Sequence, residues 1–306
     1  MRLTTMLGMV LLGLVGGASP AGAQPAVDHH LHFLRSMVSP PPGFAMNAAE
    51  LIRQMDAAGV KRGVVLSLAY QFGNPFRAAV ANEYERVKEE NDWTAEQAGL
   101  YPERLVAFCG VNPLKEYALA EIERCAGDAR LRRGLKLHFG NSDVEMDKPG
   151  HVEQVRRVFA AANRRGMAIV AHVRPNIDHG RPWGAKQARM FLEQVLPEAP
   201  DVVVQIAHLA SAGRYEDEGA AQAMGVFAEA VAGGDRRARR LYFDVSVVSW
   251  EGKREVVQRL LRAVGVERLL YASDGPPVAG WKVFQALPLS AEELRRIAEN
   301  VAPYLR

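Results

Sequence analysis

Eight apolar runs alternate with eight longer segments of helical spacing, and this alternation restricts the fold more than any other feature of the chain. The predicted strands are residues 27–33, 63–68, 105–111, 134–139, 167–173, 202–207, 241–247 and 269–272. The predicted helices are residues 48–58, 80–100, 118–129, 152–165, 185–196, 220–232, 253–264 and 291–304. Mainly apolar strands indicate burial on both faces, as in parallel sheets. The pattern therefore predicts an α/β fold, a single-domain TIM (β/α)8 barrel, with an open doubly wound sheet as the alternative that lacks its glycine-rich phosphate turn.

The first 23 residues resemble a secretory signal. One positive charge, Arg2, precedes an apolar run at residues 6–15, and small residues end at Ala23. The run is shorter than the roughly 20 residues that cross a bilayer, so we expect cleavage near Ala23 and export to the periplasm or the medium. A retained N-terminal helix is the alternative. The predicted organisation is a signal peptide, 1–23, followed by one barrel domain, 24–306.

Charge and cysteine content exclude some classes of function. The chain has 38 basic and 35 acidic residues, a net charge of +3, which argues against a nucleic-acid-binding protein. We expect no membrane anchor and a small-molecule substrate as the partner, and a homo-oligomer is compatible with the sequence. Only Cys109 and Cys125 are present, too few for a thiolate zinc cluster. We expect two buried free thiols, with a disulfide as the alternative in an exported protein.

Residues of metal-binding type fall where predicted strands end. His30 and His32 lie two apart in the first strand, so both imidazoles point to the same side. The other strand ends supply Lys136, His138, His172, His208 and Asp274. In a TIM barrel the C-terminal ends of the strands form one rim, so we expect these side chains to converge. A single histidine in a strand is more typical of a hydrogen-bonded core residue, and the set as a whole predicts a site.

These donor types suit a divalent cation. His30, His32, His172 and Asp274 would hold one zinc ion and leave one position open for water. Water bound there would lose a proton near neutral pH, because the charge of the ion stabilises hydroxide. Asp274 would act as general base and then as general acid. His208 would polarise the substrate carbonyl or bind a second metal ion.

Lys136, His138 and Arg174 are candidates for further roles. An ammonium is repelled by a dication, so unmodified Lys136 should pair with a carboxylate such as Asp274 or the substrate, whereas carbamylated Lys136 would bridge two metal ions. A structural lysine bound to carbonyl groups is the other interpretation. Arg174 follows His172 by two positions and would bind a substrate carboxylate through a bidentate contact, or anchor a loop. With His138 it forms the predicted substrate-binding pair. The aromatic loop residues predicted to rim the mouth are Tyr70, His179, Trp183 and Trp250.

With these motifs placed, the chain resembles the amidohydrolase superfamily, in the amidohydrolase-related branch that also holds decarboxylases and lactone hydrolases. The matching segments are residues 28–32, 134–138, 171–172, 207–208 and 273–276. The resemblance implies a divalent metal, usually zinc, at His30, His32, His172 and Asp274 with His208 nearby. It also implies hydrolysis of a C–N or C–O bond, or decarboxylation, of a small molecule. The chain departs from many relatives after the fourth strand, where Phe139 and Gly140 stand in place of a proline.

Three functions follow from this reasoning. The first is a metal-dependent hydrolase that uses a metal-bound hydroxide to cleave an amide, ester or lactone bond of a small carboxylate-bearing molecule. The alternative is a metal-dependent decarboxylase of a small aromatic or unsaturated acid, which would release carbon dioxide without adding water. The third is a periplasmic binding protein on an inactive barrel, against which the complete ligand set argues. One metal ion is favoured over two.

Overall fold

The strands of the structure, a computed structural model, form one closed ring. The structure describes residues 24–35, 45–212, 218–248 and 253–306, so the predicted signal peptide and Trp250 lie outside the described residues. The strands are β1 Val27–Leu31, β2 Arg62–Leu66, β3 Leu105–Gly110, β4 Gly134–His138, β5 Ala168–His172, β6 Val204–Ile206, β7 Leu241–Asp244 and β8 Leu269–Leu270. They pair in parallel in chain order. Two backbone hydrogen bonds, from His29 N–H to Tyr271 O at 3.0 Å and from Asp274 N–H to His30 O at 2.9 Å, join β1 to the chain after β8. The predicted TIM barrel is confirmed.

Helices separate the strands and cover the outside of the barrel. They are α1 Ala48–Ala58, α2 Glu83–Gly99, α3 Ala118–Gly127, α4 Phe139–Ser142, α5 Pro149–Arg164, α6 Ala185–Met190, α7 Glu218–Ala232, α8 Arg254–Val264, α9 Pro277–Gln285 and α10 Ala291–Glu299. The side chain of Asn47 accepts the N–H of Glu50 at the start of α1. Ser290 and Glu293 form a reciprocal capping box at the start of α10. Among the described residues, no helix combines the length and the apolar character of a membrane span.

Helices α9 and α10 both differ from the sequence prediction. Helix α9 is absent from the prediction because Pro276 and Pro277 are typical of a loop, yet a proline in the first helical turn removes no hydrogen bond. The last helix was expected to reach residue 304 but ends at Glu299. Asn300 has an extended backbone, and its side-chain amide donates to two carbonyl oxygens beside β8 at 2.7 and 2.8 Å. Those bonds favour the extended conformation over another helical turn.

Cys109 of β3 and Cys125 of α3 form a disulfide, so the expectation of two free thiols is wrong. Both residues are fully buried, and their Cα atoms lie 6.2 Å apart, a separation that a disulfide spans. The bond joins a strand to the helix that follows it. Whether two such side chains face each other depends on how the helix is rotated against the strand, which periodicity does not reveal.

The C-terminal residues close a second, smaller core. Leu305 packs there with buried side chains of several strands, including Phe108, and Tyr304 packs against the same group. The Tyr304 hydroxyl donates to Gln205 Oε1 at 2.6 Å. His29 Nε2 accepts the N–H of Ala302 at 3.2 Å, which fixes the chain end against β1. These contacts tie the C terminus to strands that carry the candidate site.

Candidate active site

Asp274 lies at the centre of a group of imidazoles at the C-terminal ends of the strands. Its Oδ1 is 3.3 Å from His30 Nε2 and 3.2 Å from His32 Nε2, and its Oδ2 is 3.5 Å from His208 Nε2. The possible ligand atoms of His30, His208 and Asp274 all lie within 4.8 Å of one another. Asp274 has a left-handed backbone, φ 47°, where its N–H bonds to the carbonyl of His30. The structure thus brings four of the predicted residues together.

Acceptor groups behind the imidazoles hold His30 and His32 in one orientation. His30 Nδ1 lies 3.1 Å from Asp244 Oδ2, and His32 Nδ1 lies 2.6 Å from Leu66 O. Because a carbonyl or an ionised carboxylate can only accept, we assign the proton of each neutral ring to Nδ1. Nε2 of both rings then directs a lone pair toward Asp274. Histidines that bind metals are oriented by second hydrogen bonds of this kind.

Asp244, the last residue of β7, is a site residue that sequence reasoning missed. It is fully buried, and its Oδ2 accepts from Gln205 Nε2 at 2.8 Å as well as from His30. Its Oδ1 accepts from the backbone N–H of His208 at 3.0 Å and from the Ser246 hydroxyl at 2.5 Å. Since Ser246 donates its proton there, its oxygen accepts from His208 Nδ1 at 2.7 Å. One carboxylate therefore orients two imidazoles.

The backbone after β6 is strained where it presents His208. His208, Leu209 and Ala210 have consecutive positive φ angles of 53°, 50° and 60°, each of which costs roughly 1–3 kcal/mol in a residue other than glycine. Trp183 Nε1 donates to Ala210 O at 2.9 Å, and the Ser211 hydroxyl donates to His208 O at 2.6 Å. Trp183, expected at the rim of the mouth, is thus buried and supports this turn. Strain of this kind is concentrated at functional sites.

The electrostatics of the site fit a bound cation. Burial lowers the pKa of the His30 imidazole to about 4, and burial likewise holds the pKa of His172 well below its ordinary value. Burial alone would raise the pKa of Asp274, but the surrounding imidazoles, His30 foremost, outweigh burial and hold that pKa well below its ordinary value. At neutral pH the site therefore presents nitrogen lone pairs around an ionised carboxylate, which is the donor set of a divalent metal.

Lys136 lies at the same site, in contact with an imidazole. Its Nζ is 2.9 Å from His30 Nε2, and its side chain is buried. Burial lowers the pKa of Lys136 to about 8, while Asp274 and Asp244 oppose that effect. The hydrogen-bond partner is thus an imidazole, and the two carboxylates act on the ammonium through the electric field. A cation and the ammonium would compete for the same lone pair of His30.

His138 and His172 lie side by side because β4 and β5 pair in register, with His138 opposite His172. Their rings stack with centroids 4.0 Å apart. The His172 ring also meets the ring of His208 edge-on at 5.1 Å. Among the described residues of this site, the group whose ligand atoms all lie within 4.8 Å of one another is His30, His208 and Asp274, so it leaves out His32 as well as His172. His172 is therefore a neighbour of the cluster, one ring away.

A cavity of about 260 Å³ opens over these residues. Besides the site residues, its described lining includes Tyr70 and Arg77 after β2 and Asn141 after β4. Arg174, predicted to bind a substrate carboxylate, is half-buried and does not belong to that described lining. His138 does line the cavity. The basic group on the cavity wall that sequence reasoning missed is Arg77, which lies well beyond the end of β2 in the sequence and carries no periodic signal.

Residues 27–302 match the model of a protein family described as Amidohydrolase. The chain belongs to this amidohydrolase family. The match covers the whole barrel, from β1 to the segment after α10, so the family resemblance noted in the sequence is confirmed. No curated protein matches the amidohydrolase chain by sequence.

Solved structures share the amidohydrolase barrel at low sequence identity. The 5-carboxyvanillate decarboxylase of Sphingomonas paucimobilis has a TM-score of 0.62 and 17% identity, over 90% of this chain and 97% of that one. The manganese complex of the 5-carboxyvanillate decarboxylase of Novosphingobium aromaticivorans has a TM-score of 0.60 and 14% identity, over 90% and 94%. A probable 2-pyrone-4,6-dicarboxylic acid hydrolase of Acinetobacter baumannii has a TM-score of 0.57 and 13% identity, over 90% and 96%. At these identities the likeness shows the fold alone.

Proposed function

We propose that the protein is a metal-dependent hydrolase that cleaves an amide, ester or lactone bond of a small, carboxylate-bearing molecule. The observation that carries this proposal is the convergence of three imidazole Nε2 atoms on Asp274 at 3.2–3.5 Å. Asp274 is ionised among these imidazoles, and nitrogen and oxygen donors grouped in this way form the ligand set of a divalent cation. A cation bound there would accept lone pairs from the imidazoles and from the carboxylate.

We propose one divalent ion, zinc, held by His30, His32, His172 and Asp274. A divalent ion at such a site polarises a substrate carbonyl and lowers the pKa of bound water. Nitrogen and oxygen donors suit zinc, and the Novosphingobium relative, described as a complex with manganese, supports a divalent ion. With a second ion, His208 would bind it, and a carbamylated Lys136 would bridge the two ions.

We propose that Asp274 and His208 move the protons of the reaction. Asp274 is ionised, so its carboxylate can accept the proton of the attacking water and later deliver it to the leaving group. His208 carries its proton on Nδ1 and can accept another at Nε2. The hydrogen-bonded chain through Ser246 to Asp244 would stabilise the resulting imidazolium, which would polarise the substrate carbonyl. A charged Lys136 would stabilise negative charge that develops on the substrate.

The metal content of two variants distinguishes the roles of His172 and His208. We expect His172→Ala to lose the ion, and His208→Ala to retain it with turnover reduced at least a hundredfold, the lower end of the range for a missing general acid or base. Elemental analysis of both purified variants measures this directly. Retention of the ion by His172→Ala and its loss from His208→Ala would exchange the two roles.

The second candidate function is a metal-dependent decarboxylase of a small acid. Two of the three structures described above are named as decarboxylases, and basic side chains, Arg77 and Lys136, line the cavity that also holds Asp274. The same groups would stabilise negative charge left on the substrate when carbon dioxide departs. The hydrolase and the decarboxylase therefore differ in products rather than in the residues required.

A panel of lactones, amides and aromatic acids, assayed in water labelled with oxygen-18, distinguishes these functions. Hydrolysis adds one labelled oxygen to the product, whereas decarboxylation releases carbon dioxide and adds none. His30→Ala and Asp274→Ala should abolish both metal content and turnover, and Asp56→Asn, on the exposed surface of α1, is the matched control. Full activity in chelator-treated, metal-free protein would refute metal dependence. Tight binding of a compound without turnover would favour a binding protein.

We also propose that the protein is exported after removal of residues 1–23. The support is the sequence pattern alone, one basic residue, a short apolar run and small residues before Gln24. N-terminal sequencing of the protein recovered from its native host should begin at Gln24. A mature chain that begins at Met1 would refute this proposal.

A further inference from the structure

One wall of the cavity carries polar groups that the proposed chemistry leaves without a role. Tyr70, Gln71 and Arg77 come from the segment after β2, and Asn141 faces them from the segment after β4. Burial raises the pKa of the Tyr70 phenol, Asp274 adds to that rise, and Arg77 opposes it. Tyr70 therefore lies within electrostatic reach of both Asp274 and Arg77. We call Tyr70 and Arg77 the β2 wall.

The turn that carries Arg77 is fixed from two sides. Asn74 Oδ1 accepts the N–H of Phe76 at 2.9 Å, and the N–H of Arg77 donates to Asn74 O at 3.2 Å. The Phe76 ring stacks on the ring of His179 with centroids 4.2 Å apart, which joins the loop after β2 to the loop after β5. Because the backbone of this turn is already ordered, binding of an anion by Arg77 would cost less conformational entropy than on an unsupported loop.

The balance of charge in the cavity favours an anionic ligand. Among the described residues of its lining, Arg77 and Lys136 are cationic and Asp274 is the single carboxylate. Asp274 is already surrounded by imidazoles at 3.2–3.5 Å. A divalent ion beside Asp274 would make the cavity more positive still. An anion placed against the β2 wall would therefore meet attractive charge on both sides.

We propose that the β2 wall is a carboxylate subsite, and that the ligand is a small acid of one ring or a short chain. Its carboxylate would lie against Arg77 and Tyr70, and its reacting bond would lie toward Asp274. A guanidinium binds a carboxylate through two parallel N–H···O bonds, and a phenol hydroxyl supplies a further donor. The cavity of about 260 Å³ accommodates a ligand of this size. Only the position of the reacting bond rests on the proposed function.

Calorimetric titration with benzoate tests the subsite without any turnover. We expect Arg77→Gln to weaken benzoate binding by about tenfold or more, because a hydrogen bond between charged partners is lost. Arg53→Gln, on the exposed surface of α1, is the matched control and should change the affinity less than about twofold. Arg77→Lys keeps the positive charge and loses the bidentate contact, so its affinity for benzoate should lie between those of Arg77→Gln and the control.

Two further titrations test whether a bound metal ion or unfolding of the variant accounts for the result. Chelator-treated protein should still bind benzoate in an Arg77-dependent way, whereas a carboxylate bound by the ion alone would be lost with it. The neutral analogue benzamide should bind wild type and Arg77→Gln alike, which shows that the variant is folded. Undetectable benzoate binding by wild type at millimolar concentration, or unchanged binding by Arg77→Gln, would overturn the proposal. Failure of the proposed function would instead appear as absence of turnover across the substrate panel.

Discussion

Replacement of Asp244 by asparagine tests whether the group behind the imidazoles orients them for a cation. Asp244 is fully buried and accepts hydrogen bonds from four partners. Asparagine keeps the volume, but its amide nitrogen donates where the aspartate oxygen accepts. The NH2 group of the new side chain would therefore face other donors and lose the hydrogen bonds made there by Asp244. His30 and His208 would both lose a fixed orientation, since each depends on Asp244 directly or through Ser246.

The expected loss follows from the position of Asp244 behind two of the site's imidazoles. Removal of a group that orients metal-binding histidines typically lowers metal affinity or activity about 10–100-fold, which corresponds to about 1.4–2.7 kcal/mol. Because Asp244 contacts His30, a proposed ligand of the ion, we expect a loss of zinc affinity within that range. Ser246→Ala removes only the connection to His208 and should lower metal affinity by less.

Competition with a chromophoric chelator measures the affinity of both variants for zinc. Circular dichroism establishes that each variant is folded, and Asp56→Asn, on the exposed surface of α1, is the control for loss of a surface carboxylate. Metal affinity of Asp244→Asn equal to that of wild type would refute the reasoning. Equal losses in Asp244→Asn and Ser246→Ala would place the effect at His208 alone and remove His30 from the argument.

Three predictions concern the scaffold. Burial lowers the pKa of His29 to about 4. The unfolded chain therefore binds this proton more tightly than the folded protein does, and the free energy of unfolding decreases as the pH is lowered from about 6.5 to 4. In chelator-treated protein, His29→Asn should reduce the dependence of the free energy of unfolding on pH, measured by urea unfolding. A pH dependence equal to that of wild type would contradict this role of His29. The 16-residue separation of Cys109 and Cys125 predicts that replacing both by alanine lowers the free energy of unfolding by about 3 kcal/mol; a loss below about 1 kcal/mol would be inconsistent with a formed disulfide. Gly134→Ala should lower the melting temperature, because its Cβ would lie 2.1 Å from the Phe108 ring, and a melting temperature equal to that of wild type would show that Phe108 can move aside.

The sequence predicts the barrel well because apolar periodicity records burial on both faces of every strand. It predicts strand ends less well, and that limit explains the missed aspartate. The predicted seventh strand ran to residue 247, which put Asp244 in its middle, whereas the strand ends at Asp244. Hydrogen bonds from Ser246 and His208 to the Asp244 carboxylate hold the chain in another conformation beyond that point. The contact with His208 is distant in sequence and leaves no periodic trace.

The residues of the candidate site at predicted strand ends were predictable from the sequence, and Arg77, in a loop, was not. His30, His32, His208 and Asp274 were predicted from strand ends, and they meet. The relation of His172 to them depends on the register of β4 and β5, which stacks it on His138. Arg77 lies in a loop, where no periodicity marks a functional side chain.

The central claim is that one divalent ion binds between Asp274 and the imidazoles around it. Anomalous diffraction from crystals grown with zinc, with data on both sides of its absorption edge, tests this claim most directly. The account predicts a single peak in contact with Asp274 and His30. A peak elsewhere, or none in crystals of protein that is fully active after treatment with chelator, would contradict it.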